Sequence, residues 1–268
     1  MIFHNTSKYC YEWLNKQPFV KEESLTDWLL YSISNHSERI YYKAFTRNEE
    51  FNNGADWEWW ILVNSHFETK AYRLLVQAKK LKPTDDNYPI VTYSNKNGMQ
   101  IDLLIAEAKR KNALPLYAYY SCCKPDINQQ LMNIKYVPAE LLKWCEPCIN
   151  GCFLTSAISL HNDIFKHPRR VVCEEELINC SFGLSMLDNI FCKEKNPQNL
   201  LDKLNFHYQN SINSKENYNS GIVYKYKELP TYVRTLIERK SQEDLSWFED
   251  EFRYQLGSLS GIVIIDAR

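Results

Sequence analysis

The sequence predicts an α/β protein in which helices flank a mixed β-sheet. Residues 21–36 and 99–112 carry apolar side chains at helical spacing. Residues 56–64, 71–81 and 114–121 are short runs rich in aromatic, aliphatic and β-branched side chains, which is typical of strands. The first half of the chain therefore has the order helix, strand, strand, helix, strand.

The composition fits a globular protein and excludes several functional classes. The 268 residues are 44% hydrophobic and 24% charged, and the net charge of −1 is no nucleic-acid footprint by itself. Neither G-x-G-x-x-G nor G-x-x-x-x-G-K-[ST] occurs, which excludes dinucleotide oxidoreductases and P-loop NTPases. The sequence has no apolar stretch of about 18 residues and no signal peptide. We therefore expect a cytoplasmic protein without a membrane span.

The first helix and the strand pair have clear signatures. The mostly apolar stripe of the helix consists of Leu25, Trp28, Leu29, Ser32 and Ile33. Residues 39–46 look extended. The strands at 56–64 and 71–81 are joined by a short polar connection, which predicts a hairpin.

The rest of the chain predicts further elements around this unit. The helix at 99–112 precedes an apolar strand at 114–121, and YKELPTYVRTLIERK predicts a helix with Pro230 near its start. The terminal GIVIIDAR predicts a buried strand. We expect a catalytic core in residues 1–121 and an accessory, α-rich region in residues 122–268 that completes or gates the core.

Polar residues occur at the two hairpin ends that lie side by side. Asp56 opens the first strand after Gly54-Ala55, and Gln77 and Lys79 lie near the end of the second strand. In an antiparallel hairpin these two ends adjoin, and residues two apart on a strand share a face. The sequence therefore predicts that Asp56, Gln77 and Lys79 converge at one edge of the sheet.

This combination of side chains suits phosphodiester hydrolysis. Magnesium is typically held by one or two carboxylates, with water and phosphate oxygens in the remaining positions. A bound metal polarises the phosphate and lowers the pKa of an attacking water. A nearby lysine stabilises the charge that develops in the transition state.

The order of these residues resembles the PD-(D/E)XK, or restriction-endonuclease-like, nuclease superfamily. That superfamily has an acid on its first helix, an Asp at a strand start, (E/Q)-x-K on the next strand, then a helix and a strand. Here Glu23, Asp56 and Gln77-Ala78-Lys79 match these positions. The segments GADWEWW, VQAKK and QIDLL also resemble an uncharacterised bacterial family that we associate with phage defence.

The resemblance implies a function, a cofactor and a set of site residues. It implies a restriction-endonuclease-like fold, a bound Mg²⁺ or Mn²⁺ held by Glu23, Asp56 and Gln77, and Lys79 as a catalytic residue. It ends near residue 121. Two positions depart from the pattern: Gln77 stands where an acid is usual, and no proline precedes Asp56. A neutral amide is a weaker ligand than a carboxylate for a hard cation.

Other acidic residues extend the candidate site. Glu22 is the alternative to Glu23, and either could simply favour a helix N-terminus by charge–dipole attraction. Glu50 and Glu58 are secondary candidates because they lie close to Asp56 in the sequence. A solvated loop charge is the simpler explanation of Glu50.

The nucleic-acid contacts are predicted from a local excess of basic residues. Arg73, Lys80 and Lys82 lie on or just after the second hairpin strand, and Gln100 begins the following helix. Such residues suit a phosphate backbone. Lysines at a strand end also serve simply to prevent aggregation.

The sequence therefore predicts a Mg²⁺- or Mn²⁺-dependent endonuclease. DNA is favoured over RNA by analogy with the superfamily alone, and defence against foreign DNA is the suggested role. A homo-oligomer or an activating partner is compatible with this prediction. The alternative is a non-catalytic nucleic-acid or partner-binding module of the same fold. The neutral Gln77, at the position where an acid is usual, supports this alternative.

The motif Cys145-x-x-Cys148-x-x-x-Cys152 suggests a different class of protein, an interaction module stabilised by zinc. However, the chain has no second C-x-x-C, and its nine cysteines are irregularly spaced. Reduced, buried thiols are therefore the favoured interpretation.

Overall fold

The structure, a computed structural model, confirms the predicted α/β class, because a mixed sheet is flanked by helices. The described residues are 1–45, 54–64, 68–81, 94–95, 98–122, 151–166, 181–191, 223–239, 246–257 and 259–268.

The described chain contains both helices and strands. The α-helices are α1 (Ile2–Lys16), α2 (Glu22–Asn35), α3 (Gln100–Arg110), α4 (Ala157–Lys166), α5 (Thr231–Arg239) and α6 (Phe248–Leu256), and 3₁₀-helices cover Leu184–Phe191 and Tyr226–Glu228. The strands are β1 (Ile40–Ala44), β2 (Trp57–Asn64), β3 (Thr69–Lys80), β4 (Ser94–Asn95), β5 (Gly98–Met99), β6 (Leu114–Tyr120), β7 (Cys152–Ser156), β8 (Phe182–Gly183), β9 (Val223–Lys225) and β10 (Gly261–Asp266).

One large sheet organises the fold. Its strands lie in the order β1-β10-β2-β3-β6-β7-β8, and β9 also pairs with β3. The strands β2 and β3 form the predicted antiparallel hairpin, with Trp57 opposite Val76. The pairs β10–β2 and β3–β6 are parallel. Because parallel neighbours need a long crossover, α3 lies in the connection from β3 to β6.

Both faces of this sheet are buried, since alternate residues of each strand point to opposite sides. On one face, residues such as Trp59 and Leu74 pack with α1 and α2. On the other face, Leu75 and Tyr117 pack with α3, while Trp60 packs with α5 and α6. The aromatic strand sequences therefore fill the core of a layered fold.

The elements expected in the first half of the chain are confirmed, with small differences at their ends. Helix α1 was not expected. Its buried side includes Thr6 and Ser7, so the apolar pattern is interrupted. The Ser7 hydroxyl accepts hydrogen bonds from the Gly151 and Cys152 N–H groups at 3.1 and 3.0 Å, which explains its place in the core.

The sheet draws strands from both sides of residue 121. Strand β10 lies between β1 and β2, and β7 and β8 extend the opposite edge. A strand covered on both faces favours a continuous apolar sequence, and the predicted terminal strand and the helix after Pro230 are both confirmed. Residues from the second half of the chain therefore lie directly beside Asp56.

None of the helices in the described part of the chain has the length and apolar composition needed to cross a membrane.

Candidate metal site at the strand ends

Asp56 is fixed at the end of the sheet through its backbone. Its N–H donates to the Val76 carbonyl at 3.0 Å, and its own carbonyl accepts from the Ser260 N–H at 2.6 Å. Gly54 has a φ of +73°, and a Cβ added there would lie 2.5 Å from the Leu104 nitrogen in α3. The turn that presents Asp56 therefore packs directly against the α3 backbone, where only glycine fits.

The Asp56 and Gln77 side chains meet, as the hairpin predicts. Gln77 Nε2 donates to Asp56 Oδ2 at 2.5 Å and to the Ala78 carbonyl at 3.1 Å. The Ala78 N–H donates to the same Asp56 oxygen at 2.9 Å. One carboxylate oxygen and one main-chain oxygen thus converge on a single buried amide nitrogen.

Gln100, at the start of α3, completes this chain of hydrogen bonds. Its Nε2 donates to Gln77 Oε1 at 3.0 Å. Its own Oε1 is buried and has no hydrogen-bond partner among the described residues. Buried polar atoms are nearly always paired, so this oxygen indicates a partner that the described protein groups do not supply. Gln100 was expected to contact nucleic acid, and it lies instead behind Gln77.

Lys79 lies two residues beyond Gln77 and has its partner on α2. Lys79 Nζ is 3.7 Å from Glu22 Oε1, and the Lys80 N–H donates to Glu22 Oε2 at 2.6 Å. Burial raises the pKa of the Glu22 carboxyl; the Lys79 charge opposes this rise, and the Asp56 charge adds to it. The two carboxylates therefore interact unfavourably, and a nearby cation would relieve that repulsion.

Glu22, rather than Glu23, is the helix acid that reaches the strand ends. Glu23 is exposed, although its charge also acts on Glu22. Successive helical residues point about 100° apart around the axis. The sequence cannot distinguish the two, because the choice depends on how α2 is rotated against the sheet. We call Glu22, Asp56, Gln77, Lys79 and Gln100 the strand-end cluster.

Two tyrosines beside this cluster were not predicted as site residues. Tyr117 and Tyr119 of β6 lie opposite Gln77 and Lys79 in the sheet register, and their rings stack at 5.5 Å. Burial raises the pKa of Tyr117, and the charges of Asp56 and Asp102 add to the rise. The Tyr117 hydroxyl has no hydrogen-bond partner within the described residues. The alternation in LPLYAYY was the signal that could have identified this pair.

Arg73 and Glu58, predicted as site residues, belong to a separate buried group and pair with each other. Glu58 is 0% exposed and Arg73 8%, and Arg73 Nη2 lies 2.8 Å from Glu58 Oε2. Tyr232 on α5 donates to Glu58 Oε1 at 2.5 Å, and Lys111 Nζ lies 3.6 Å from Glu58 Oε2. A guanidinium covered by α5 has no access to a phosphate backbone. We call these four residues the buried ion-pair cluster.

Electrostatics keep the Glu58–Arg73 pair of this second cluster charged. Burial would raise the pKa of Glu58, but the charges of Arg73 and Lys111 and the hydrogen bond from Tyr232 hold it below its ordinary value. Burial likewise opposes the charge on Arg73, and Glu58 more than compensates, so the pKa of Arg73 is raised. The neutral Tyr232 hydroxyl ties α5 to this ion pair through hydrogen bonds with Glu58 and Arg73.

Lys80, predicted as a nucleic-acid contact, is held by the chain before α2. Its ammonium group donates to the Pro18 and Val20 carbonyls at 2.7 and 2.6 Å. Lys80 therefore anchors the turn that precedes α2. The candidates Lys82 and Glu50 lie outside the described residues.

The cysteine motif is only partly described. Cys145 and Cys148 lie outside the described residues. Cys152 is a free thiol in the core on β7, and burial raises its pKa well above the ordinary value. Burial raises the pKa of Cys10, in the same core, to about 12.

The strand-end cluster has the donor chemistry that a hard cation requires. Mg²⁺ and Mn²⁺ prefer oxygen ligands, and Asp56 Oδ2 and the Ala78 carbonyl already face one point, with Glu22 nearby. The described residues contain no group of three or more His, Cys, Asp or Glu suited to a metal. This site differs in kind, because it combines carboxylate, amide and main-chain oxygens.

These features define an α/β protein with a polar site at the ends of adjacent strands. The chain belongs to a family described as a family of unknown function (DUF6615), and the match spans residues 1–267. No curated protein and no solved structure matches the chain. The family match covers strands from both halves of the chain, in agreement with their common sheet.

Proposed function

We propose that the protein is a Mg²⁺- or Mn²⁺-dependent nuclease of restriction-endonuclease-like fold. The observation that carries the proposal is the hydrogen-bonded meeting of Asp56 with Gln77 and Ala78, on the strand whose Lys79 ammonium group pairs with Glu22. Oxygen ligands and a lysine at one point are the minimum for metal-assisted phosphodiester hydrolysis. DNA as substrate and defence as role rest on the resemblance of the sequence motif alone.

Each residue of the cluster has a defined part in this proposal. Asp56, Glu22, the Ala78 carbonyl and the Gln77 amide oxygen would hold the cation. The bound cation would supply polarisation of the phosphate and activation of water. Lys79 would stabilise the charge that develops on the phosphate oxygens, and Glu22 orients Lys79 for that purpose. The two backbone hydrogen bonds of Asp56 preorganise its carboxylate.

The proposal is tested by cleavage of plasmid and single-stranded DNA with Mg²⁺ or Mn²⁺. We expect Asp56→Asn and Lys79→Met each to lower the rate by about 30- to 1,000-fold, because they remove charge that acts on the transition state. Lys70→Met is the matched control, since it makes the same change at the other end of β3. Cleavage by Asp56→Asn at the wild-type rate would contradict the proposal.

A second candidate function is a non-catalytic binding module. One observation favours it: the Gln77 amide already satisfies Asp56 without a cation. Such a module would bind DNA equally well in EDTA and in Mg²⁺. A metal-dependent nuclease should instead gain affinity when a cation is present, because the cation bridges carboxylate and phosphate.

A further inference from the structure

The Gln77 amide nitrogen contacts the same two oxygens that would hold a cation at Asp56. Both of its described acceptors are oxygens, Asp56 Oδ2 at 2.5 Å and the Ala78 carbonyl at 3.1 Å. The amide oxygen points the other way, where it accepts from Gln100 Nε2. In this arrangement Gln77 presents a donor, rather than a ligand, to the candidate metal site.

Turning the Gln77 amide over converts the donor into a ligand. Rotation about the terminal torsion exchanges oxygen and nitrogen in nearly the same place, and that torsion has a broad, two-fold energy profile. Three oxygens would then face one another, which is unfavourable without a cation and favourable with one. The direction of the amide is therefore coupled to cation binding.

Gln100 has to follow this rotation. After it, the Gln77 NH₂ group faces the Gln100 NH₂ group, and two donors cannot bond to each other. Gln100 Oε1 has no hydrogen-bond partner among the described residues. Turning the Gln100 amide over therefore breaks no hydrogen bond of that oxygen to these residues. The turned Gln100 then offers its oxygen to the Gln77 NH₂ group and restores the hydrogen bond.

We propose that Gln77 and Gln100 form a coupled amide switch, in which cation binding at Asp56 turns both side-chain amides over. This inference rests on the proposed function for the metal site and adds the control of its affinity. Gln100 is a positioning residue, which acts on the cation through Gln77. The side chain at position 100 therefore sets how readily Gln77 becomes a ligand.

Variants at position 100 test the direction of the switch by Mn²⁺ titration without nucleic acid. A carboxylate accepts only, so Gln100→Glu should hold the Gln77 NH₂ group and keep the amide oxygen towards Asp56. Gln100→Met, of similar size, should favour neither direction. We expect Gln100→Glu to bind Mn²⁺ about 10- to 100-fold more tightly than Gln100→Met, the value of one charged hydrogen bond. Salt screens a partly buried charge only weakly, so direct attraction of the cation by the added carboxylate is separated from the switch by amide NMR.

Side-chain amide NMR with Mg²⁺ supplies a readout that a purely structural role of Gln100 would not change. Saturating wild type with Mg²⁺ should shift the NH₂ resonances of both Gln77 and Gln100. The Gln77 resonances of metal-free Gln100→Glu should resemble those of Mg²⁺-saturated wild type. Unmoved Gln100 resonances, equal Mn²⁺ affinity of the two variants, or no binding by wild type would each overturn the switch.

These outcomes are separate from those of the cleavage assay. Coupled amide shifts without cleavage would support the switch and contradict the nuclease. Cleavage that is lost in Asp56→Asn, together with equal Mn²⁺ affinity of the two Gln100 variants, would support the nuclease and contradict the switch.

Discussion

Two polar clusters lie along the same face of β2 and β3. They differ in how completely their buried polar groups are paired within the described protein. In the buried ion-pair cluster, Glu58 is 0% exposed and its carboxylate accepts hydrogen bonds from Arg73 and Tyr232. In the strand-end cluster, Glu22 is partly exposed and a buried amide oxygen of Gln100 is unpaired among the described residues. Leu75 lies between the two clusters on β3.

This difference distinguishes a charged group that stabilises the fold, Glu58, from one that is available to a ligand, Glu22. The pKa of Glu58 is lowered because its partners outweigh the effect of burial. The pKa of Glu22 is raised because burial outweighs Lys79. A carboxylate whose charge is fully stabilised by the protein binds a cation weakly. A carboxylate with an incomplete set of partners is stabilised when a cation binds to it.

The largest effect is expected from breaking the buried ion-pair cluster. Glu58→Gln leaves the buried Arg73 charge without its carboxylate and Lys111 with Glu107 as its acidic partner, so the free energy of unfolding should fall by about 3–5 kcal/mol. Denaturant unfolding followed by circular dichroism measures this change. A loss below about 1 kcal/mol would show that the Glu58–Arg73 pair is worth no more than an ordinary surface ion pair. The contrast between the two clusters would then disappear.

The same carboxylate should make stability depend on acid pH. The folded pKa of Glu58 lies below its ordinary value of 4.5, so its contribution is present above that value and is lost as the pH falls through the folded pKa. We expect the stability difference between wild type and Glu58→Gln to shrink as the pH is lowered from about 7 to about 3. A difference that grows on acidification would contradict the assigned direction.

Gly54→Ala should damage the strand-end cluster through its backbone. The left-handed φ and the contact with α3 both oppose a Cβ, so we expect a stability loss above about 1 kcal/mol. Displacing Asp56 by about 1 Å should lower cleavage by about 100-fold. Gly257→Ala is the control, because its φ is +64° but nothing lies within 4 Å of an added Cβ. Equal effects of the two variants would show that contact with α3 is unimportant.

The smallest change in stability is expected for Glu22→Gln. The amide keeps an acceptor for the Lys80 N–H, and a neutral group suits a site that raises the pKa of Glu22. The free energy of unfolding should change by less than about 0.5 kcal/mol, while the affinity for Mn²⁺ falls. A destabilisation as large as that of Glu58→Gln would make Glu22 a structural residue.

The sequence predicted the part of the site that follows from strand periodicity. Antiparallel pairing alone brings Asp56 beside Gln77, and the period of two puts Lys79 on the same face. These relations are local, because one short connection joins the two strands. Helical spacing of apolar residues, which is also a local signal, correctly predicted α3 after the hairpin, with Gln100 at its start.

The sequence did not predict what depends on distant packing. Arg73 is basic and lies on the hairpin, yet α5 buries it, and α5 begins at Thr231. The choice of Glu22 over Glu23 depends on the rotation of α2 against β3. Lys80 is held by carbonyls of the turn before α2. Tertiary contacts over long sequence separations leave no periodic signal in the residues concerned.

The central claim is that the strand-end cluster, and not the buried ion-pair cluster, binds a divalent cation. Anomalous X-ray scattering from a crystal grown with Mn²⁺ tests this most directly. The account predicts one Mn²⁺ peak bonded to Asp56 Oδ2 and the Ala78 carbonyl, with the Gln77 amide oxygen turned towards it, at oxygen distances of about 2.1–2.3 Å. A Mn²⁺ peak elsewhere, no Mn²⁺ at Asp56 in crystals grown with it, or a Gln77 amide that still donates to Asp56 beside a bound Mn²⁺ would contradict the account.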